Sequence, residues 1–240
     1  MAPTTKNSKP IFKTASPFTE TTWPPISHDN QEVILALVCN LISPIGDHRK
    51  THIHPSKGKK RKRKSKQDDS AQADAPPPPP PEIGKHILVG INSITRHLEA
   101  LAALTAPPTM PIAEDTGTEN IRPISALLIT HPKPSVSPAH AHLPTLLHLS
   151  TLSPATSESP STPTRLIPLA TATDARLAAA LHIPRVGALA IFADAPGAKA
   201  LEDFVQEKVG PTECQWVDEA MSAKWKGVNV KTEMSAGKKK

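Results

Sequence analysis

Residues 85–104 read KHILVGINSITRHLEALAAL, and a change of period inside this stretch decides the fold. Ile87, Leu88 and Val89 form an apolar run too short for a helix and β-branched enough for a strand. Gly90 then permits a tight reversal, because it carries no Cβ. From Ile91 the apolar residues recur three or four apart, at Ile91, Ile94, Leu98 and Leu101, which predicts a helix with one apolar face. Asn92, Ser93, Thr95 and Arg96 fall in its first turn, off that face. A helix start holds unpaired backbone N–H groups and the positive end of the macrodipole, so it suits an anion. Here it also carries an amide and a guanidinium, which can bond a base edge or a phosphate. On spacing alone, an ordinary strand–helix crossover with a capped start is the simpler reading.

The same switching of period recurs on both sides. Upstream, Val33, Ile34, Leu37, Val38, Leu41 and Ile42 predict a helix over 31–45, capped by Asp29 or Asn30 and ended by Pro44 and Gly46. Downstream come a strand over 125–130, a short helix opened by Ser137-Pro138 and interrupted by Pro144, and a strand within 165–170. A helix over 174–182, with Thr173 as cap and Asp174 at its positive end, leads through the apolar loop 183–187 to a strand over 188–192. Asp194 is placed to cap one more helix, stopped by Gly210-Pro211, and short strands are expected at 214–217 and 228–230. Helices alternating with strands in this way imply a sheet covered by helices on both faces.

Between these elements the composition changes. Twenty-eight prolines against ten glycines mean that much of the 240-residue length is not packed. Residues 1–30 read as a disordered tail and 31–220 as a single domain. That domain is broken by a disordered insertion at 47–82, and a C-terminal extension with a basic tail follows over 221–240. The insertion carries KGKKRKRKSK and a six-proline run. Lys59, Lys60, Arg61, Lys62, Arg63 and Lys64 fit a nuclear localisation signal read by an import receptor, and a non-specific phosphate contact.

Charge is unevenly placed. The net is +6, but residues 57–66 hold eight Lys or Arg and the last three residues are lysines. Outside these, 17 basic residues face 22 acidic ones, so any polyanion must meet a local patch or the basic runs. The two cysteines, Cys39 and Cys214, form neither a disulfide framework nor a metal-ligand spacing. The HxH pairs His52/His54 and His140/His142 lack carboxylate or thiolate company and read as solvated or capping histidines. No apolar run reaches the length of a membrane span and no signal-peptide core opens the chain, so a soluble protein of a reducing compartment is expected.

No catalytic constellation stands out: GxSxG, GxGxxG, a Walker loop and HExxH are all missing, and no cofactor is implied. Tyrosine is absent, and the four phenylalanines lie in the tail or in expected core positions, which argues against base-stacking platforms. Recognition of folded RNA by shape, through amides, guanidinium groups and helix starts, fits better.

Three segments resemble one family. GINSITR at Gly90–Arg96 looks like the G-x-N-E-x-T-K motif of the kink-turn-binding ribosomal protein family. AHLPTLL at Ala141–Leu147 is similar to its A-H-L-P-x-L, and DARLAAALHIPRVGALAIF at Asp174–Phe192 resembles its last helix, loop and strand. With CNLISPIGDHR, the basic insertion and the VNVKT ending, the likeness is to the fungal ribonuclease P and ribonuclease MRP subunits of that family. The resemblance implies a three-layer α/β/α sandwich with a mixed central sheet of about four strands, interrupted by the insertions. It implies an accessory, non-catalytic subunit that binds the RNA subunits of ribonuclease P and MRP beside other protein subunits. The setting would be the nucleus or nucleolus, in precursor tRNA and precursor rRNA processing. It further implies that Gly90, Asn92, Ser93, Thr95 and Arg96 face RNA, helped by Ile183, Arg185 and Val186 of the apolar loop. Ser93 stands where the family has Glu, which removes an acceptor for a guanine edge, so a related bent or bulged stem is the expected target. Two alternatives belong beside this: an interaction adaptor that does not touch RNA, and a ribosomal or small nucleolar particle protein of the same fold.

Overall fold

A computed structural model of the chain describes residues 10–52, 78–103, 121–131, 133–151, 163–169, 173–222 and 224–234. In chain order the strands are β1 (Pro10–Ala15), β2 (Ile87–Val89), β3 (Ile124–Thr130), β4 (Arg165–Leu169), β5 (Ala188–Phe192) and β6 (Asn229–Met234). The helices are α1 (His28–His52), α2 (Ile91–Ala103), α3 (Leu143–Thr151), α4 (Asp174–Leu181), α5 (Lys199–Lys208) and α6 (Gln215–Met221). The chain divides into two compact units, one from Trp23 to Thr212 and one joining the residues before Trp23 to those after Thr212.

The larger unit is the expected α/β/α sandwich. Its mixed sheet has the order β2-β5-β3-β4, with β3 and β4 parallel and β5 antiparallel to both β2 and β3. Alternating residues feed two cores, one on each face. Ala126, Leu128, Ile167, Leu169, Leu189 and Ile191 pack under α1, α4 and α5, against Ile34, Val38, Ile42, Leu177, Leu181, Leu201 and Val205. Leu127, Ile129, Leu166, Ala188, Ala190 and Phe192 pack under α2 and α3, against Ile94, Leu98, Leu143 and Leu147. A bulge between Ile124 and Ala126 puts Ile124 on the α2/α3 face with Leu127. Ser125, buried in the bulge, donates its hydroxyl to the Ile191 carbonyl. Pro168 is tolerated in β4 because β4 is an edge strand.

Several boundaries differ from expectation. α1 does not stop at Pro44 and Gly46 but runs on to His52. Proline removes one intrahelical hydrogen bond, and packing on α4 outweighs it. Gly46 is buried so close to α4 that a Cβ there would stand 1.9 Å from the Ala180 carbonyl oxygen. One turn further, Arg49 Nη1 donates to the Leu181 carbonyl at 3.2 Å, satisfying an otherwise open helix end. Residues 47–52, expected in the insertion, are therefore helix, while 59–64 and most of the basic and proline-rich run lie outside the described residues. The cap of α1 is Ser27, whose Oγ accepts from the Asn30 N–H, rather than Asp29 or Asn30.

The domain also begins earlier than residue 31. Pro24 is buried, and Trp23 and Ile26 pack on the two cores. Pro144 lies in the first turn of α3 instead of interrupting a helix, a position where its missing N–H costs nothing. Ser137 closes a 3-10 turn over Pro134–Val136. α5 starts at Lys199 rather than at Asp194, because Gly197 with φ of +81° turns the chain first.

In the smaller unit, β1 pairs antiparallel with β6. Strand structure thus falls inside the stretch expected to be a disordered tail. Residues 215–221, expected in part as a strand, form α6. Glu219 on α6 accepts from both the backbone N–H and the hydroxyl of Thr19, and pairs with Lys226 at 2.6 Å. The ammonium of Lys226 and these two donors hold the Glu219 carboxyl down to about 2.

Candidate nucleic-acid interface

One end of the sheet gathers the segments singled out by sequence. β2 ends at Val89, and Gly90 turns into α2 with φ of +97°. A Cβ at Gly90 would meet nothing within 4 Å, so the backbone angle, not space, requires glycine here. The Gly90 N–H donates to the Ala188 carbonyl at 2.9 Å, and its own carbonyl accepts from the Ile94 N–H. The motif is thereby fixed to the first residue of β5, directly after the loop 183–187.

That loop is tied down at three points. The Thr130 N–H donates to the Gly187 carbonyl at 3.1 Å, and the Thr130 hydroxyl donates to the Val186 carbonyl. Asp174 Oδ1 accepts from the Val186 N–H at 2.7 Å. Asp174 therefore staples the loop across the start of α4. His182, in the left-handed region with φ of 52°, closes the helix before it. Val186 is 1% exposed and belongs to the α1/α4/α5 core, and Ile183 is half-buried against it. Pro184, Arg185 and Gly187 are what the loop presents to solvent.

On α2, Asn92, Ser93 and Arg96 are exposed and Thr95 is half-buried. Thr95 Oγ1 and His142 Nε2 share a hydrogen bond of 3.0 Å, which joins α2 to the turn before α3. Between them lies a groove of about 410 Å³, lined by Ile91, Asn92, Thr95, Arg96, Glu99, Ala139 and His142. Asn92, Arg96 and Glu99 recur along one helix stripe. The wall thus offers an amide, a hydroxyl, a guanidinium, a carboxylate and an imidazole, the donors and acceptors that read nucleobase edges and phosphates. Lys133 and Arg185, both exposed, follow β3 and precede β5 at the same sheet end.

His142 and Glu99 were not singled out from sequence as site residues. The HxH pair was visible, but not that its two members differ. His142 faces the groove, whereas His140 is buried, bonded through Nδ1 to Ser137 Oγ at 3.0 Å. The His131 ring lies 5.1 Å from that of His140. Burial first, then the neighbouring His131 and His142, hold the His140 imidazole below its ordinary value.

Among the described residues no group of three or more His, Cys, Asp or Glu is placed to hold a metal ion, and no helix is long and apolar enough to cross a membrane. Cys39 is half-buried and Cys214 buried, and burial raises the Cys39 thiol. No protein-family model matches the chain, and no curated protein matches it either.

Proposed function

We propose that this chain is a non-catalytic RNA-binding subunit of the ribonuclease P/MRP ribonucleoprotein, acting in precursor tRNA 5′-end maturation and precursor rRNA processing. One observation carries the reading. The three segments on which the family resemblance rests are far apart in sequence yet meet at one sheet end, through Gly90 with Ala188 and Thr95 with His142. The open space above Gly90 and Gly187 lets a phosphate backbone approach closely. Asn92 and Arg96 supply the base-edge and phosphate contacts, Thr95 and Ser93 lie beside them, and Arg185 adds a second cation from the loop. Cleavage belongs to the RNA of the particle. The basic block at 59–64 directs the chain to the nucleus and nucleolus through an import receptor and adds a sequence-independent phosphate contact.

Sequencing the RNA that copurifies with the tagged chain tests this. The two particle RNAs should be enriched; a ribosomal or small nucleolar RNA in their place would move the chain to a sister particle. A second reading, an adaptor that does not touch RNA, is favoured by the net negative charge outside the basic runs. Asn92→Ala with Arg96→Ala separates the two, because only the RNA reading makes crosslinking depend on these side chains.

A further inference from the structure

We propose that Lys231 is an acceptor site for covalent attachment of a small ubiquitin-like modifier. The segment Val230-Lys231-Thr232-Glu233 has the pattern that the conjugating enzyme of such modifiers reads directly: an apolar residue, the acceptor lysine, any residue, and an acid. That enzyme takes its substrate as extended backbone. In extended chain residues two apart share a face about 7 Å apart, so the lysine and the acid present together while the apolar residue turns to the other side.

The structure supplies this geometry. All four residues lie in β6, and all four are exposed, Val230 by 52%. Among the described residues β6 pairs only with β1, so its outer edge is open to a second protein. The paired strand carries a natural control. Phe12-Lys13-Thr14-Ala15 likewise has an apolar residue, a lysine and a threonine in extended chain, the first three exposed, but has a half-buried alanine in place of the acid.

The charges on this face favour the reaction at Lys231. Lys13 and Lys231 stand directly opposite each other across the ribbon. Lys13 pairs with Glu233 at 2.5 Å, leaving two cations to one carboxylate. Both members of that pair are more than half exposed, so water screens it and Glu233 stays available to the enzyme. Like charges directly opposite in a two-stranded ribbon are unfavourable. Turning the Lys231 ammonium into an amide removes that repulsion.

In the step itself, the neutral Lys231 amine attacks the thioester carbonyl that joins the modifier's C-terminal glycine to the enzyme's cysteine. A C–N bond forms, the C–S bond breaks, the amine proton passes to solvent and the cysteine leaves as thiolate. The thioester is made beforehand by the activating enzyme at the expense of ATP.

The test is reconstituted conjugation on the full chain with activating enzyme, conjugating enzyme, modifier and ATP, read by gel shift and peptide mass spectrometry. The proposal expects one modified site at Lys231. Conjugation should be lost in Lys231→Arg, which keeps the charge, and reduced at least tenfold in Glu233→Gln. Lys13→Ala breaks the same ion pair without removing the acid and should leave conjugation intact. No conjugate on the unaltered chain, conjugation persisting in Lys231→Arg, or equal losses in Glu233→Gln and Lys13→Ala would each overturn it.

Discussion

Thr95 and His142 lie 47 residues apart in sequence and 3.0 Å apart in space, and their hydrogen bond holds one wall of the groove to the other. His142→Ala should therefore act twice. Losing a part-buried hydrogen bond costs about 1 kcal/mol of stability, visible as a lower urea midpoint. RNA affinity should fall as well, because the turn carrying Ala139 is released from α2. Thr95→Val, which removes the same bond but keeps the imidazole, should give a similar loss of stability with a smaller loss of binding in a filter assay.

Gly90 and Gly46 are both indispensable, for opposite reasons. At Gly90 there is room but the wrong backbone angle, so Gly90→Ala should cost about 1–3 kcal/mol through strain. At Gly46 the angle is helical but a methyl would run into the Ala180 carbonyl, so Gly46→Ala should push α1 off α4 at a cost of about 1–3 kcal/mol. Urea unfolding checks both. Only Gly90→Ala should also weaken RNA binding, since only Gly90 lies at the proposed interface.

The buried His140 gives the fold an acid sensitivity. Its folded-state value lies below the ordinary 6.5, so the unfolded chain binds the proton more readily. Stability from this residue is complete above about 6.5 and is lost as pH falls from there through the lowered folded value. His140→Gln should flatten the pH dependence of the thermal midpoint in that window. The unaltered chain should lose stability there.

The basic block makes a separable prediction. Deleting residues 57–66 should reduce nuclear accumulation in an imaging assay. It should also flatten the dependence of RNA affinity on salt, because fewer counterions are released. The proposed contacts of Asn92 and Arg96 with RNA should persist in the deleted chain.

What was legible in the sequence follows the range of the forces involved. The turn from β2 into α2 was legible because period, glycine and helix face all sit within twenty residues. Asn92, Thr95 and Arg96 were legible for the same reason. The length of α1 was not, since Pro44 and Gly46 are local stop signals and the packing on Ala180 and Leu181 that overrides them comes from the far end of the chain. β1 was missed because its partner strand lies more than two hundred residues away. Residues 215–221 misled because four apolar-rich residues fit either period. Val186 looked like a loop residue free to meet a ligand, and only the bonds from Asp174 and Thr130 reveal that it is held in the core.

The central claim is that RNA meets the first turn of α2. Ultraviolet crosslinking of the assembled particle, with the attached peptides identified by mass spectrometry, tests it most directly. The account predicts adducts within residues 90–99, 139–142 or 183–187, and their loss when Asn92→Ala and Arg96→Ala are combined in a chain that still folds. Adducts confined to other residues, or unchanged in the double variant, would contradict it.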